Sequence, residues 1–112
     1  MIKLIESDYI KLLPTKQEII QRINQLCRKY GKSDVGKSLY HNLCDIGYYT
    51  EDKRKSFIQF AIDVLNNCYT DGIPYYPNDI TDYNLTPQHT TNCDIIDAID
   101  RTEEFMKLYN YS

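Results

Sequence analysis

Tryptophan is absent from this sequence, glycine is scarce, and no long apolar run occurs. The longest apolar stretches, residues 2–5 and 57–65, are far shorter than the ~20 apolar residues that span a bilayer. We therefore expect no membrane helix. The first residues also lack the apolar segment and small-residue cleavage site of a secretory signal, so the expected location is cytoplasmic.

Closely spaced cysteines are missing as well. The four cysteines lie 17, 24 and 25 residues apart, so no Cys-x-x-Cys pair indicates a zinc knuckle or a redox motif. In a reducing compartment, each is expected to pack as a small hydrophobic residue instead of forming a disulfide. His41 and Cys44 could join His89 and Cys93 as a zinc tetrad, but chance produces such combinations readily. We expect no metal and no cofactor.

No arrangement of residues in the sequence indicates a catalytic site. The order and spacing of Ser, His and Asp match no hydrolase triad, and Cys44 lies on an apolar stripe where a thiolate is poorly stabilised. Helix caps and solvated helix faces account for the paired carboxylates. The sequence therefore favours a protein that is not an enzyme.

What is present indicates one small helical domain over residues 1–112. The chain is 42% hydrophobic and 26% charged, a globular composition of the size that supports a single core. Thr15 and Glu18 form the capping-box pattern that opens a helix, and apolar residues then recur every three or four positions. Gly31 is a plausible end for that helix.

Three more helices are predicted along the chain. The second runs from Ser33 or Asp34 to about Ile46, and the third from Thr50 to Asp71, with a wide apolar face typical of a central helix. The last begins at Thr91 or Asn92. Its predicted apolar residues are Ile95, Ile96, Ile99, Phe105, Met106 and Tyr109.

Between the third and last helices, residues 72–89 form a predicted long loop. Pro74, Pro77 and Pro87 interrupt it, and no helical periodicity remains. The predicted fold is thus an all-α bundle of four helices with a long irregular loop before the last helix. A fifth, short helix would follow Ser7 and Asp8, where a strand over residues 2–5 is the alternative.

Residues 31–38 match the Walker A pattern GxxxxGKS, which in nucleotide hydrolases cradles phosphates. That loop works only when it leaves a buried strand and opens a helix. Here it follows the clearest helical pattern in the chain, and no alternation of strands and helices predicts a parallel sheet. We interpret Gly31 as a helix end and residues 36–38 as the first turns of the next helix.

Residues 23–43 also resemble a helix-turn-helix, because two predicted helices flank Gly31 and basic residues surround the turn. Val35 and Leu39 are out of step with the usual packing positions, and the whole chain is acidic, with a net charge of −3. Nucleic-acid binding by this basic half is the alternative function.

Charge is divided unequally along the chain. Residues 1–70 hold eleven basic and eight acidic side chains, whereas residues 71–112 hold two basic and eight acidic ones. In the last helix, Asp94, Asp97, Asp100 or Arg101, and Glu104 follow three- and four-residue steps, which place several carboxylates on one face. This acidic ridge is predicted either to be solvated or to meet a basic partner.

Tyrosines concentrate beside the same acidic residues. Four of the eleven tyrosines fall within residues 69–83. Tyrosine is enriched at binding hot spots, and long loops without secondary structure are often functional. The alternative is that these rings pin the loop onto the bundle. The predicted partner-binding residues are Tyr75, Tyr76, Asp79, Asp82, Tyr83, Asp94, Asp97 and Glu104.

An acidic, aromatic surface can occupy the nucleic-acid-binding surface of a basic protein, with carboxylates in place of phosphates. The leading hypothesis is therefore an inhibitor or immunity protein. Abundant Ile, Asn, Lys and Tyr, as AT-rich coding produces, hint at a phage or mobile element. The third hypothesis is a structural or assembly subunit, and the sequence leaves the oligomeric state open.

Overall fold

The structure, a computed structural model, describes residues 13–72 and 92–109. Of these residues 76% are helical, and they contain four helices and no strand, which confirms the all-α prediction. The first twelve residues and most of the predicted loop lie outside the described residues. The helices are α1 (Lys16–Tyr30), α2 (Lys32–Asp45), α3 (Phe57–Cys68) and α4 (Asn92–Tyr109).

Helix α1 begins where the sequence predicts it. The Glu18 amide donates to the Thr15 hydroxyl at 3.2 Å, and the Thr15 amide donates to the Glu18 carboxylate at 3.3 Å. These reciprocal bonds satisfy amides that have no partner inside the helix. Gly31 ends α1 with a φ of 99°, a value that a side chain would strain, and its amide donates to the Cys27 carbonyl.

Helix α2 starts at once after Gly31 and is the centre of the fold. It packs against all three other helices, most extensively against α3 and α4. The expectation that the third helix is central is therefore wrong, although α3 does bury a wide apolar face. That face packs mainly against α2 and to a lesser extent against α1.

The start of α3 also differs from the prediction. The helix begins at Phe57, not at Thr50, and the Ser56 hydroxyl caps it by accepting from the Gln59 amide at 3.2 Å. Residues 50–54 turn instead, because the Thr50 hydroxyl accepts from the Asp52 amide and the Asp52 carboxylate accepts from the Arg54 amide. Such local side-chain bonds compete with helix formation.

Gly36 lets α2 and α3 approach closely. A Cβ atom at this buried position would lie 3.0 Å from the Ile58 backbone nitrogen and 3.3 Å from the Phe57 Cβ. The first turns of α2 therefore pack directly on the first turn of α3.

Polar contacts hold α4 to the other helices. The buried Thr102 hydroxyl donates to the Ala98 carbonyl and accepts from the Asn42 side chain at 3.1 Å. At its first turn, the buried Asn92 side chain accepts from the Thr70 amide at 3.4 Å and donates to the Thr70 carbonyl. The segment that follows α3 is thus in contact with the start of α4.

The chain around α3's end is pinned to the start of α1. Tyr69 is buried, and its hydroxyl donates to the Pro14 carbonyl. The Asp71 carboxylate accepts a hydrogen bond from the Lys16 amide, so it interacts favourably with the positive end of the α1 dipole. Both residues come from the tyrosine-rich acidic stretch, and both have structural roles.

Burial explains the behaviour of the cysteines. Among the described residues, which include all four cysteines, no disulfide forms. Burial raises the pKa of the Cys68 thiol to about 11, and it also raises the pKa of Cys27 and of Cys44. Thiols held in the neutral form are poor nucleophiles and poor metal ligands.

Within residues 13–72 and 92–109, no helix has the length and apolarity to cross a membrane.

Candidate partner-binding surface

The predicted interface residues fall into two groups. Tyr75, Tyr76, Asp79, Asp82 and Tyr83 lie outside the described residues, so their arrangement stays a prediction. Asp94, Asp97 and Glu104 lie on α4. The described part of the candidate surface is therefore the outer side of one helix.

Asp97 and Glu104 share the face of α4 that points away from the core. Both are exposed, whereas Ile95, Ile99 and Met106 are buried on the opposite side. Seven residues separate the two carboxylates, which is about 10 Å along a helix. Arg101 lies between them and contacts the Asp97 carboxylate at 2.9 Å. The face is therefore acidic but partly neutralised.

Asp94 is half-buried and lies in the first turn of α4. A carboxylate at this place interacts favourably with the positive end of the helix dipole. Its position thus has a structural explanation, and it sits closer to the core than Asp97 or Glu104 does.

Two further carboxylates of α4 face α1. The Arg22 guanidinium donates to Asp100 at 2.7 Å and to Glu103 at 2.8 Å. Hydrogen bonding from Arg22, and then from Lys107, lowers the pKa of Glu103. Despite its desolvation, Arg22 has a raised pKa because both carboxylates accept its hydrogen bonds. These charges join two helices, so the outer face presents fewer free carboxylates than the sequence suggests.

Exposed apolar side chains occupy the last turns of α4. Phe105 is 47% exposed, Leu108 66% and Tyr109 71%. The sequence pattern includes Phe105 and Tyr109 among the apolar residues of the last helix, but only Met106 of this turn is buried. Their rings pack on each other with centroids 4.7 Å apart. Leu108 lies one turn beyond Glu104, so the acidic face continues into an apolar one.

A hollow of about 500 Å³ lies between this apolar end and α2. Phe105, Met106 and Tyr109 form one wall, and residues of α2, among them Asp34 and His41, form the other. Periodicity could not reveal it, because the hollow depends on how far α4 extends along α2. We call Asp97, Glu104, Phe105, Leu108 and Tyr109 the α4 surface.

The structure also bears on the two nucleotide-related motifs. Of the Walker A match, Gly31 links two helices and residues 32–38 are helical, so their backbone amides do not form a phosphate-binding loop. The single-residue link between α1 and α2 is shorter than the three- to four-residue turn of a helix-turn-helix. Lys32 and Lys37 are nevertheless exposed on α2.

No cluster of three or more metal-ligating side chains occurs within the described ranges. Of the considered tetrad, His89 lies outside those ranges. His41 is exposed and its ring contacts Tyr40 edge-on, with centroids 6.0 Å apart.

A comparison with known protein families, curated proteins and solved structures found no match to this chain.

Proposed function

We propose that this protein is a non-enzymatic binding protein of the inhibitor or immunity type, which acts in the cytoplasm on a partner with a basic surface. The observation that carries the proposal is the α4 surface, where exposed carboxylates adjoin three exposed apolar side chains. Apolar anchors supply most of the affinity at protein interfaces, and surrounding charges set association rate and specificity.

The geometry supports a protein partner over a small substrate. Three large apolar side chains are exposed at one helix end, and two of them, Phe105 and Tyr109, flank an open hollow, an arrangement suited to interlocking with side chains of another protein. Asp97 and Glu104 are spaced to meet successive basic groups. The basic partner that fits best is a nucleic-acid-acting protein, such as a toxic nuclease or a subunit of a defence complex.

The first test is an affinity pull-down with the wild-type chain and with Leu108→Ala/Tyr109→Ala, from the source cell and from cells that it infects or competes with. We expect a basic nucleic-acid-acting protein to be recovered by the wild type and lost with the variant. The matched control is Tyr49→Ala, which removes an exposed aromatic ring that lies outside the α4 surface. Recovery of nucleic acid alone, or equal recovery by all chains, would contradict the proposal.

The second test uses the recovered partner and measures association rates at several salt concentrations. Charge reversal by Asp97→Lys/Glu104→Lys is expected to slow association at least tenfold at low salt and to flatten its salt dependence. Asp45→Lys/Glu51→Lys, which reverses two exposed acidic residues outside the α4 surface, is the charge-matched control. An unchanged rate with the α4 variant would mean that the carboxylates are only solvated.

A further inference from the structure

A second candidate site lies on the other side of α2, apart from the α4 surface. It is an open groove of about 1020 Å³, bounded by the first half of α2, the turn before α3 and the first residues of α3. Its walls contain four lysines and two acidic residues. No residue of α1 or α4 lines it, so the proposed partner surface and this groove are separate, with Lys37 at their shared edge.

The charges of the groove leave three lysines available. Lys55 is engaged, because its ammonium group contacts Asp63 at 2.9 Å. Asp52 is engaged as well, because Arg54 contacts it at 3.1 Å and lowers its pKa through hydrogen bonds. Lys32, Lys37 and Lys53 are exposed and form no ion pair with any residue that the structure describes, and Glu51 is the remaining acid of the wall.

Beside these lysines lies an aromatic platform. Phe57 stacks on Tyr40 with ring centroids 4.6 Å apart, and Tyr40 meets Phe60 edge-on at 5.4 Å. Phe57 is still 42% exposed, and it lines the groove. An exposed ring held by a second ring is a rigid surface on which a planar group can stack.

The start of helix α2 borders the same groove. Helix α2 has no side-chain cap, and its first residues Lys32 and Ser33 line the groove. Uncapped amides and the helix dipole attract anions, which reinforces the lysines. The available cations are lysines, which bind phosphate as compact point charges.

From these features we infer that the groove binds a nucleotide unit, with the base stacked on Phe57 and the phosphate held by Lys32, Lys37 and Lys53. The volume is that of sites for ligands of this size. The binding needs neither magnesium nor hydrolysis, because residues 32–38 are helical and offer no phosphate-binding loop. A free mononucleotide and the end of a single strand present the same chemistry.

The test measures binding of adenosine monophosphate by calorimetry and by chemical-shift changes, with and without magnesium. We expect magnesium-independent binding that weakens at least tenfold for adenosine or inorganic phosphate alone. Phe57→Leu should weaken it about tenfold, as loss of stacking on one ring does. Lys32→Ala/Lys53→Ala should weaken it at least as much, whereas Lys29→Ala, an exposed lysine of α1 outside the groove, should not.

A longer ligand distinguishes a free mononucleotide from the end of a nucleic-acid strand, and an acidic peptide tests whether any polyanion binds. If a six-residue single-stranded oligonucleotide binds more than tenfold tighter than adenosine monophosphate, the ligand is a nucleic-acid strand, and if not, it is a free nucleotide. Equal binding of hexaglutamate, no binding of the nucleotide at millimolar concentration, or loss with Lys29→Ala alone would each overturn the inference. Circular dichroism melting of every variant identifies any that fails to fold, and the lysine variants, altered only at exposed positions, keep the test decisive.

Discussion

Gly36 shows how a residue that is poor for its own helix can serve the contact between two helices. Glycine in a helix interior costs about 1 kcal/mol relative to alanine. In α2 this cost is offset because the missing side chain allows α3 to begin against the α2 backbone. The sequence marks Gly36 only as a weak point in the second helix, since the partner that makes it useful lies more than twenty residues away.

Gly36→Ala is therefore expected to destabilise the fold in spite of its better helix propensity. Its methyl group would lie 3.0 Å from the Ile58 backbone nitrogen, and backbone at a helix start cannot move aside cheaply. Overpacking typically costs 1–3 kcal/mol, so the net loss should be about 1 kcal/mol in urea unfolding. Ser33→Ala, at an exposed position of the same helix, is the control. A more stable Gly36→Ala variant would show that the crossing is loose.

Arg22 supports a prediction about pH. Replacing it by methionine keeps most of its packing but removes both contacts to α4, and should cost about 0.5–1 kcal/mol at pH 7 because the group is partly exposed. The lowered pKa of Glu103 means that this stabilisation is present above the ordinary carboxyl pKa of 4.5. It should disappear as the pH falls through the lower folded-state pKa.

Urea unfolding of wild type and Arg22→Met between pH 7 and pH 3 checks this. The two curves of unfolding free energy should converge in acid. Arg101→Met, which removes a contact within α4 itself, should show a smaller difference at neutral pH. A difference between wild type and Arg22→Met that stays constant with pH would mean that the ionic contacts do not stabilise the fold.

At the scale of elements, short-range patterns predict a helix start well where the sequence offers a single capping pattern. Thr15 and Glu18 fixed the start of α1 because both partners of the capping box lie within four residues. The start of α3 was predicted seven residues early, since Thr50 followed by acidic residues resembles a cap. Two caps compete there, and Ser56 is the one that the packed helix uses.

The capping box gives a direct prediction. Thr15→Ala removes the acceptor for the Glu18 amide and should lower the unfolding free energy by about 1 kcal/mol. Thr15→Ser, which keeps the hydroxyl, is the matched control and should stay close to wild type. If both variants lose the same amount, the methyl group of Thr15 matters and the cap does not.

For the whole molecule, the helical class was predictable because hydrophobic periodicity and helix caps agree along the chain. The central position of α2 was not, because it depends on which apolar faces meet, and α3 has the wider apolar face. Of the candidate surface, the sequence predicted Asp97 and Glu104 on one face. It could not predict that Arg22 engages Asp100 and Glu103, or that α4 leaves Phe105 and Tyr109 exposed, because both depend on contacts distant in sequence.

The contact between Asn92 and Thr70 affects how long the connection between α3 and α4 needs to be. Because these two residues touch, contacts among the described residues already hold the end of α3 beside the start of α4, and a much shorter connection can span the gap. Residues 74–90 can then be exchanged for an eight-residue Gly/Ser linker. Loop-closure entropy changes by only about 0.6 kcal/mol for each twofold change in length, so the unfolding free energy should stay within about 1 kcal/mol of wild type.

The chain with the exchanged stretch would separate the contributions of the two parts of the predicted interface. It lacks Tyr75, Tyr76, Asp79, Asp82 and Tyr83 but keeps the whole α4 surface, so its affinity for the partner measures what each half contributes. Unfolding of the shortened chain would show that the exchanged stretch belongs to the core. A stable shortened chain would make this a modular protein, with a helical frame and a replaceable recognition segment that can change while the frame stays constant.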